Sequence, residues 1–155
     1  MNIPSWLPIA VVAVLLAALS NLSQTKRDFS WFRRLRRPRW LSFEWAIPFI
    51  WISILACAAW SAVLVWNTAG DWWLMGCYVL LELLILAYTP VMCKLHSLRV
   101  GTLIGAIGFG WGCFLTLQVF QVSRLAAGLL VPYLLWSPIG TFVTWQMIRL
   151  NPREA

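Results

Sequence analysis

Acidic side chains are scarce in this chain: five Asp and Glu among 155 residues, against twelve Lys and Arg, with a single histidine, His96. That scarcity excludes most chemistry. No carboxylate cluster, Ser/His/Asp set, phosphate-binding glycine loop or zinc-ligand spacing occurs, so hydrolysis and phosphoryl transfer have no residues to carry them. The four cysteines, Cys57, Cys77, Cys93 and Cys113, lie inside apolar stretches and none forms a CxxC pair. They read as small hydrophobes, and no metal site is expected. His96 stands alone in a short basic loop, which is no basis for metal or haem ligation. Charge of either sign is thin, at 11% of residues, while 61% are hydrophobic and the mean hydropathy is +0.78. A soluble domain of that composition would expose far too much apolar surface, so the solvent of this chain is lipid.

Five apolar runs are present, over about 4–22, 46–66, 72–93, 100–122 and 125–148. Each approaches or exceeds the ~20 residues that a helix needs to cross hydrocarbon. Only helices satisfy the backbone over such unbroken runs in lipid. No Lys or Arg precedes the first run, so it lacks the positive flank of a signal peptide and reads as a membrane helix. The expected fold is therefore all-α: one domain over 1–155, an integral membrane bundle of five transmembrane helices. Its turns are short enough to make consecutive helices antiparallel neighbours. The charges set its orientation. Seven of the twelve basic residues (Lys26, Arg27, Arg33, Arg34, Arg36, Arg37 and Arg39) lie in the 23–45 loop, two in the 94–99 loop and two after the last run; Arg124 alone lies on the other side. The prediction is N-out/C-in. That placement also accounts for the net charge of +7 without a nucleic-acid partner.

The chain is rich in tryptophan, with twelve, six of them between Trp31 and Trp66. Trp6, Trp72 and Trp73 sit at span ends, where aromatic belts anchor a protein in the interface. The 23–45 loop is long for a compact protein, and such loops are usually functional. Its arginines suit topology and anionic lipid headgroups, at about 1 kcal/mol each near the surface. A second reading makes it a lid, with arginines for a ligand's carboxylates, Trp31, Phe32, Trp40 and Trp45 to cover its flat apolar body, and Pro38 to stiffen the descent. Deeper in the spans, Trp51 and Trp136 are candidates to line a pocket beneath it. Glu82 is the one carboxylate well inside a span, and is a functional candidate for that reason. Glu44 and Asp71 suit helix starts. Gly101/Gly105 and Gly108/Gly112 form small-xxx-small pairs that favour close packing, within the bundle or between two copies. Pro48, Pro90 and Pro138 are expected to bend their helices.

Trp31-Phe32-x-x-Leu35-x-x-Pro38-x-Trp40, followed by Trp45, Trp51 and Trp66, resembles the W-Y-x-x-L-x-K-P-x-W-x-P-P-x-W signature of the TspO/translocator protein family, the tryptophan-rich sensory proteins. Val131-Pro132-Tyr133-Leu134-Leu135-Trp136 and Arg149-Leu150-Asn151 look like that family's ending. The resemblance covers nearly the whole chain. It implies a five-helix bundle, commonly a homodimer, that binds a tetrapyrrole (porphyrin or haem type) or a sterol-like lipid in a pocket under the first loop. No cofactor is required. Ligand-binding positions then fall at Trp31, Phe32, Pro38, Trp40, Trp45, Trp51, Tyr133 and Trp136; Trp31 and Trp136 correspond to the tryptophans tied to light-dependent porphyrin breakdown in some members. The chain departs from the pattern at Phe32 (a tyrosine in the family), Ser42-Phe43 (a double proline), Leu81 and Ile85 (polar residues), Ile104 (an aspartate) and Thr144 (an asparagine). The leading expectation is a receptor- or sensor-like protein for a tetrapyrrole. Its rivals are a porphyrin photo-oxidising enzyme, a transporter gated by Glu82, and a structural subunit without a ligand. A bacterial inner membrane fits the charge bias, with an organelle membrane left open; membrane lipids are the other partner.

Overall fold

In the computed structural model the chain is described over residues 4–22 and 26–154, apart from the side chains of residues 21–29. Among the described residues all regular structure is helical. The long helices are α1 (Trp6–Leu22), α3 (Ile47–Ala69), α4 (Trp72–Lys94), α5 (Leu98–Val122) and α6 (Arg124–Leu150), with a short α2 (Lys26–Arg34) between the first two. Single turns of 3-10 helix, Glu44–Ala46 and Pro152–Glu154, precede α3 and follow α6.

Local chemistry sets the boundaries. Asp71 Oδ1 accepts from Trp73 N at 2.8 Å and starts α4. Ser97 and Ser123 cap α5 and α6 through Val100 N and Ala126 N. Gly70, at φ 61°, closes α3 in the left-handed conformation that glycine adopts without strain. Glu44 does not cap a helix. It stands in the first turn of the 3-10 helix that leads into α3, as the dipole reading expects, and its carboxylate forms an ion pair with Arg37. Pro48 falls in the first turn of α3, where its missing N–H costs nothing; it begins that helix rather than bending it. α4 continues through Pro90, and α6 through Pro132 and Pro138.

Among the described residues four helices are long and apolar enough to cross a membrane, and α1 is a shorter apolar helix. Only 22–28% of the most apolar window of each long helix is buried within the protein, so most of its apolar surface is left for lipid. Contacts run α1–α3–α6–α5–α4 and back to α1, a closed ring. Consecutive antiparallel packing therefore holds for α4/α5 and α5/α6, but α3 packs chiefly on α6 and only lightly on α4. The 23–45 segment is not all loop either: nine of its residues form α2, which packs on α4.

The core lies along α3, α4, α5 and α6, around Ile54, Val65, Leu81, Leu115, Val119 and Leu130, all at most 2% exposed. Buried Ser61 ties three helices together. Its hydroxyl donates to Ala126 O at 2.7 Å, which leaves the Tyr78 hydroxyl, 2.6 Å away, to donate to Ser61. Gly101, Gly105, Gly108 and Gly112 of α5 face inward. A Cβ at Gly112 would strike the Tyr133 ring, at Gly105 Thr141, and at Gly101 the Met92 side chain. The stripe is used within the bundle and is not open to a second copy.

Candidate functional site

A cavity of about 460 Å³ lies within the ring of helices, beneath the segment that follows α2. α3 contributes Trp51 and Leu55, α4 contributes Tyr88, and α5 contributes Ile104 and Gly108. α6 supplies the longest stretch, from Tyr133 and Trp136 to Met147, and the lid supplies Phe32, Arg37 and Leu41. The small α5 residues let the walls stand close, while the aromatic residues of α3 and α6 give flat surfaces.

Polar groups on this lining are few, and most are engaged. Thr144 Oγ1 donates to Gly140 O at 3.2 Å, so the Tyr88 hydroxyl donates to Thr144. Thr141 Oγ1 donates to Ser137 O at 2.9 Å. One fully buried donor is not engaged: Trp136 Nε1 has no acceptor among the described residues. An unpaired buried N–H costs about 1–3 kcal/mol. Its contrast is Trp111, whose Nε1 donates to Cys77 O at 3.0 Å. At the rim, Arg37 is paired with Glu44 and lies over the Phe32 ring, 5.2 Å from its centroid. Among the described residues it is the only arginine on the lining; Arg33, Arg34, Arg36 and Arg39 are exposed.

Of the eight ligand positions nominated above, Phe32, Trp51, Tyr133 and Trp136 line the cavity, and Trp31, Pro38, Trp40 and Trp45 do not. Trp31 is 9% exposed and packs with Leu35, Met92 and Met147; its Nε1 donates to Glu154 Oε2 at 2.7 Å and its ring meets His96 edge-on. Trp40 Nε1 donates to Gln146 Oε1 at 2.8 Å. Pro38 is buried and accepts from Leu41 N in the turn that carries the lid across the bundle. Trp45 is 76% exposed, as an interfacial anchor would be. Glu82 does not face this cavity. Lys26 and Arg27 carry side chains outside the described residues.

What sequence reasoning missed is the fastening of the lid to the end of α6. Asn151 Oδ1 accepts from Arg36 N at 2.9 Å, and its Nδ2 donates to Arg36 O and Met147 O, each at 2.9 Å. With Gln146–Trp40 and Glu154–Trp31, three polar side chains from one stretch hold three lid residues. The signal was present: Gln146 is a polar residue in an apolar span, and Asn151 belongs to the closing motif. Phe43, at one of the double-proline positions, also reaches the wall, 6.3 Å from the Trp136 ring.

Fold and site together define a multi-pass integral membrane protein with a lidded cavity inside its helix bundle. Comparison with known proteins places it further: residues 7–150 match the TspO/MBR family, and the chain belongs to that family. Among its relatives, the translocator protein of Sus scrofa is 25% identical over 156 residues, covering 96% of this chain and 92% of that protein. The tryptophan-rich sensory protein of Cereibacter sphaeroides is 26% identical over 124 residues, 78% of this chain and 77% of that protein. Protein CrtK of Rhodobacter capsulatus is 25% identical over 154 residues, 94% and 96% of the two chains.

Proposed function

We propose that this protein is a membrane receptor for a flat, amphipathic ligand of the tetrapyrrole class, held in the cavity beneath the lid. The observation that carries the reading is the orphan indole N–H of Trp136. A buried donor without an acceptor is a standing cost, and a ligand that brings a carboxylate, carbonyl or ring acceptor removes it. The cavity volume of about 460 Å³ lies within the ~300–1,000 Å³ of small-molecule pockets. Trp51 and Trp136 supply flat apolar walls for a ring, and Arg37 supplies a cation at the rim for a propionate-like group. That cation is shared with Glu44, so an anionic ligand competes with a carboxylate already in place.

The chain's charge asymmetry supports an N-out/C-in orientation, with the lid on the cytoplasmic side. A ligand then meets the lid from the cytoplasm or the inner leaflet.

The test is tryptophan quenching by protoporphyrin IX in lipid nanodiscs. Saturable quenching in the micromolar range is expected, weakened several-fold in Trp51→Phe/Trp136→Phe shown by circular dichroism to be folded. Linear quenching, equal in the two proteins, would overturn the reading.

A further inference from the structure

We infer that the bundle holds a second ligand site, between α1, α3 and α4, which takes an amphipathic amine and seats its ammonium group on Glu82. A cavity of about 460 Å³ lies there, of the same size as the one beneath the lid. Leu55 and Ile85 line both and form the partition between them. The walls are aliphatic: Ile9 and Val12 of α1 face Ala58, Ala59 and Ala62 of α3, and the small alanine side chains leave the space open.

Glu82 enters this apolar space from α4. It stands near the middle of that helix, about 15 Å from its start and about 18 Å from its end at about 1.5 Å per residue. It is half-buried and has no ion-pair or hydrogen-bond partner among the described residues. The other oxygen-bearing side chains of the lining are engaged: Ser5 Oγ donates to Asn67 Oδ1 at 2.6 Å, and the Tyr78 hydroxyl is taken by Ser61. Among the described residues no Lys or Arg lines the cavity, so its charge is of one sign.

Charge and shape select the ligand class. A carboxyl group at membrane depth is costly unless it is paired. The molecule that gains most by entering is one whose ammonium N–H donates to that carboxylate, a charge-assisted hydrogen bond in a dry site, while its apolar body fills the aliphatic space. A carboxylate-bearing ligand is repelled, so the anionic ligands suited to Arg37 are excluded from this cavity. A neutral hydrocarbon fills the space but leaves Glu82 unanswered. Trp66 and Trp72, edge-to-face at 4.8 Å, stand at the end of the cavity near the α3–α4 turn and offer aromatic faces to a cation on its way in.

The experiment is equilibrium binding of radiolabelled imipramine, a tricyclic amine, to the protein in nanodiscs, with protein-free nanodiscs subtracted and iminodibenzyl, its uncharged core, run beside it. Wild type is expected to bind imipramine saturably and about ten-fold or more tightly than iminodibenzyl. Glu82→Gln is expected to lose that preference while keeping its helix content and unfolding temperature. Ala59→Phe keeps the carboxylate and fills the space, and is expected to lose saturable binding of both molecules; it decides the matter if Glu82→Gln does not fold. Trp136→Phe, in the other cavity, is expected to bind imipramine as wild type does. Equal affinity for imipramine and iminodibenzyl in wild type would overturn the proposal. So would imipramine binding that survives unchanged in folded Glu82→Gln or in Ala59→Phe.

Discussion

Two deep indoles divide the labour of this protein. Trp111 gives its N–H to Cys77 O and joins α5 to α4, whereas Trp136 lines the cavity with a buried N–H that no described residue accepts. The two therefore respond oppositely to loss of the indole nitrogen. Trp111→Phe breaks a helix-to-helix hydrogen bond while Cys77 O keeps its place in the α4 ladder, and is expected to cost about 0.5–1.5 kcal/mol. Trp136→Phe removes an unpaired donor from a wall that borders empty space, and is expected to unfold within about 1 kcal/mol of wild type. Thermal or denaturant unfolding in one detergent compares them. At the rim, Glu44→Gln frees Arg37 from its ion pair. Quenching titrations are expected to show protoporphyrin IX binding several-fold more tightly to that variant, with a steeper dependence on salt, since exposed charge pairs are screened.

The lid and α6 act as one unit at the scale of elements. Asn151 makes three hydrogen bonds, two of them to the backbone of Arg36, so a single side chain holds the middle of the lid. Asn151→Ala is expected to raise amide hydrogen exchange over residues 31–41 at least about ten-fold, as expected from loss of several bonds worth about 0.5–1.5 kcal/mol each. Exchange in α5 should stay unchanged. The helices were the most legible part of the sequence, because 20-odd apolar residues in lipid allow one backbone solution. Their packing order was not legible: nothing in a run of Leu, Val and Ala says that α3 should prefer α6 to its chain neighbour α4. α2 was hidden for a related reason. Its apolar Phe29, Trp31 and Phe32 are too few among charges to stand out from the basic segment around them. In the candidate site, flat residues in the spans were readable as pocket walls, and Trp51 and Trp136 line the cavity. Trp31 and Trp40 were not separable from them by type. A tryptophan that covers a ligand and one that reaches a polar side chain 100 residues away look alike in sequence, and only the fold brings Gln146 and Glu154 to the lid.

For the whole molecule, the two cavities lie back to back across Leu55 and Ile85, one with a cation at its rim and the other with a carboxylate on its wall. A ring of five helices that leaves most of its apolar surface to lipid has little buried core to hold itself rigid, and interior space is a natural consequence of its small residues. Orientation belongs to this scale as well. Ser30→Cys and Thr68→Cys place thiols on the two proposed sides. In intact cells of a bacterial host, a membrane-impermeant maleimide is expected to label Thr68→Cys and to reach Ser30→Cys only after lysis; the reverse pattern would put the lid outside.

Under the proposed function the Trp136 N–H awaits a ligand acceptor. The most direct measurement is the indole ¹⁵N–¹H NMR spectrum of ¹⁵N-tryptophan-labelled protein in nanodiscs, with the Trp136 resonance assigned by its loss in Trp136→Phe. On addition of protoporphyrin IX that resonance is predicted to move to the shift of a hydrogen-bonded indole, while the Trp111 resonance, already bonded to Cys77, stays in place. Saturable binding that leaves the Trp136 resonance where it was would contradict the account and place the ligand elsewhere.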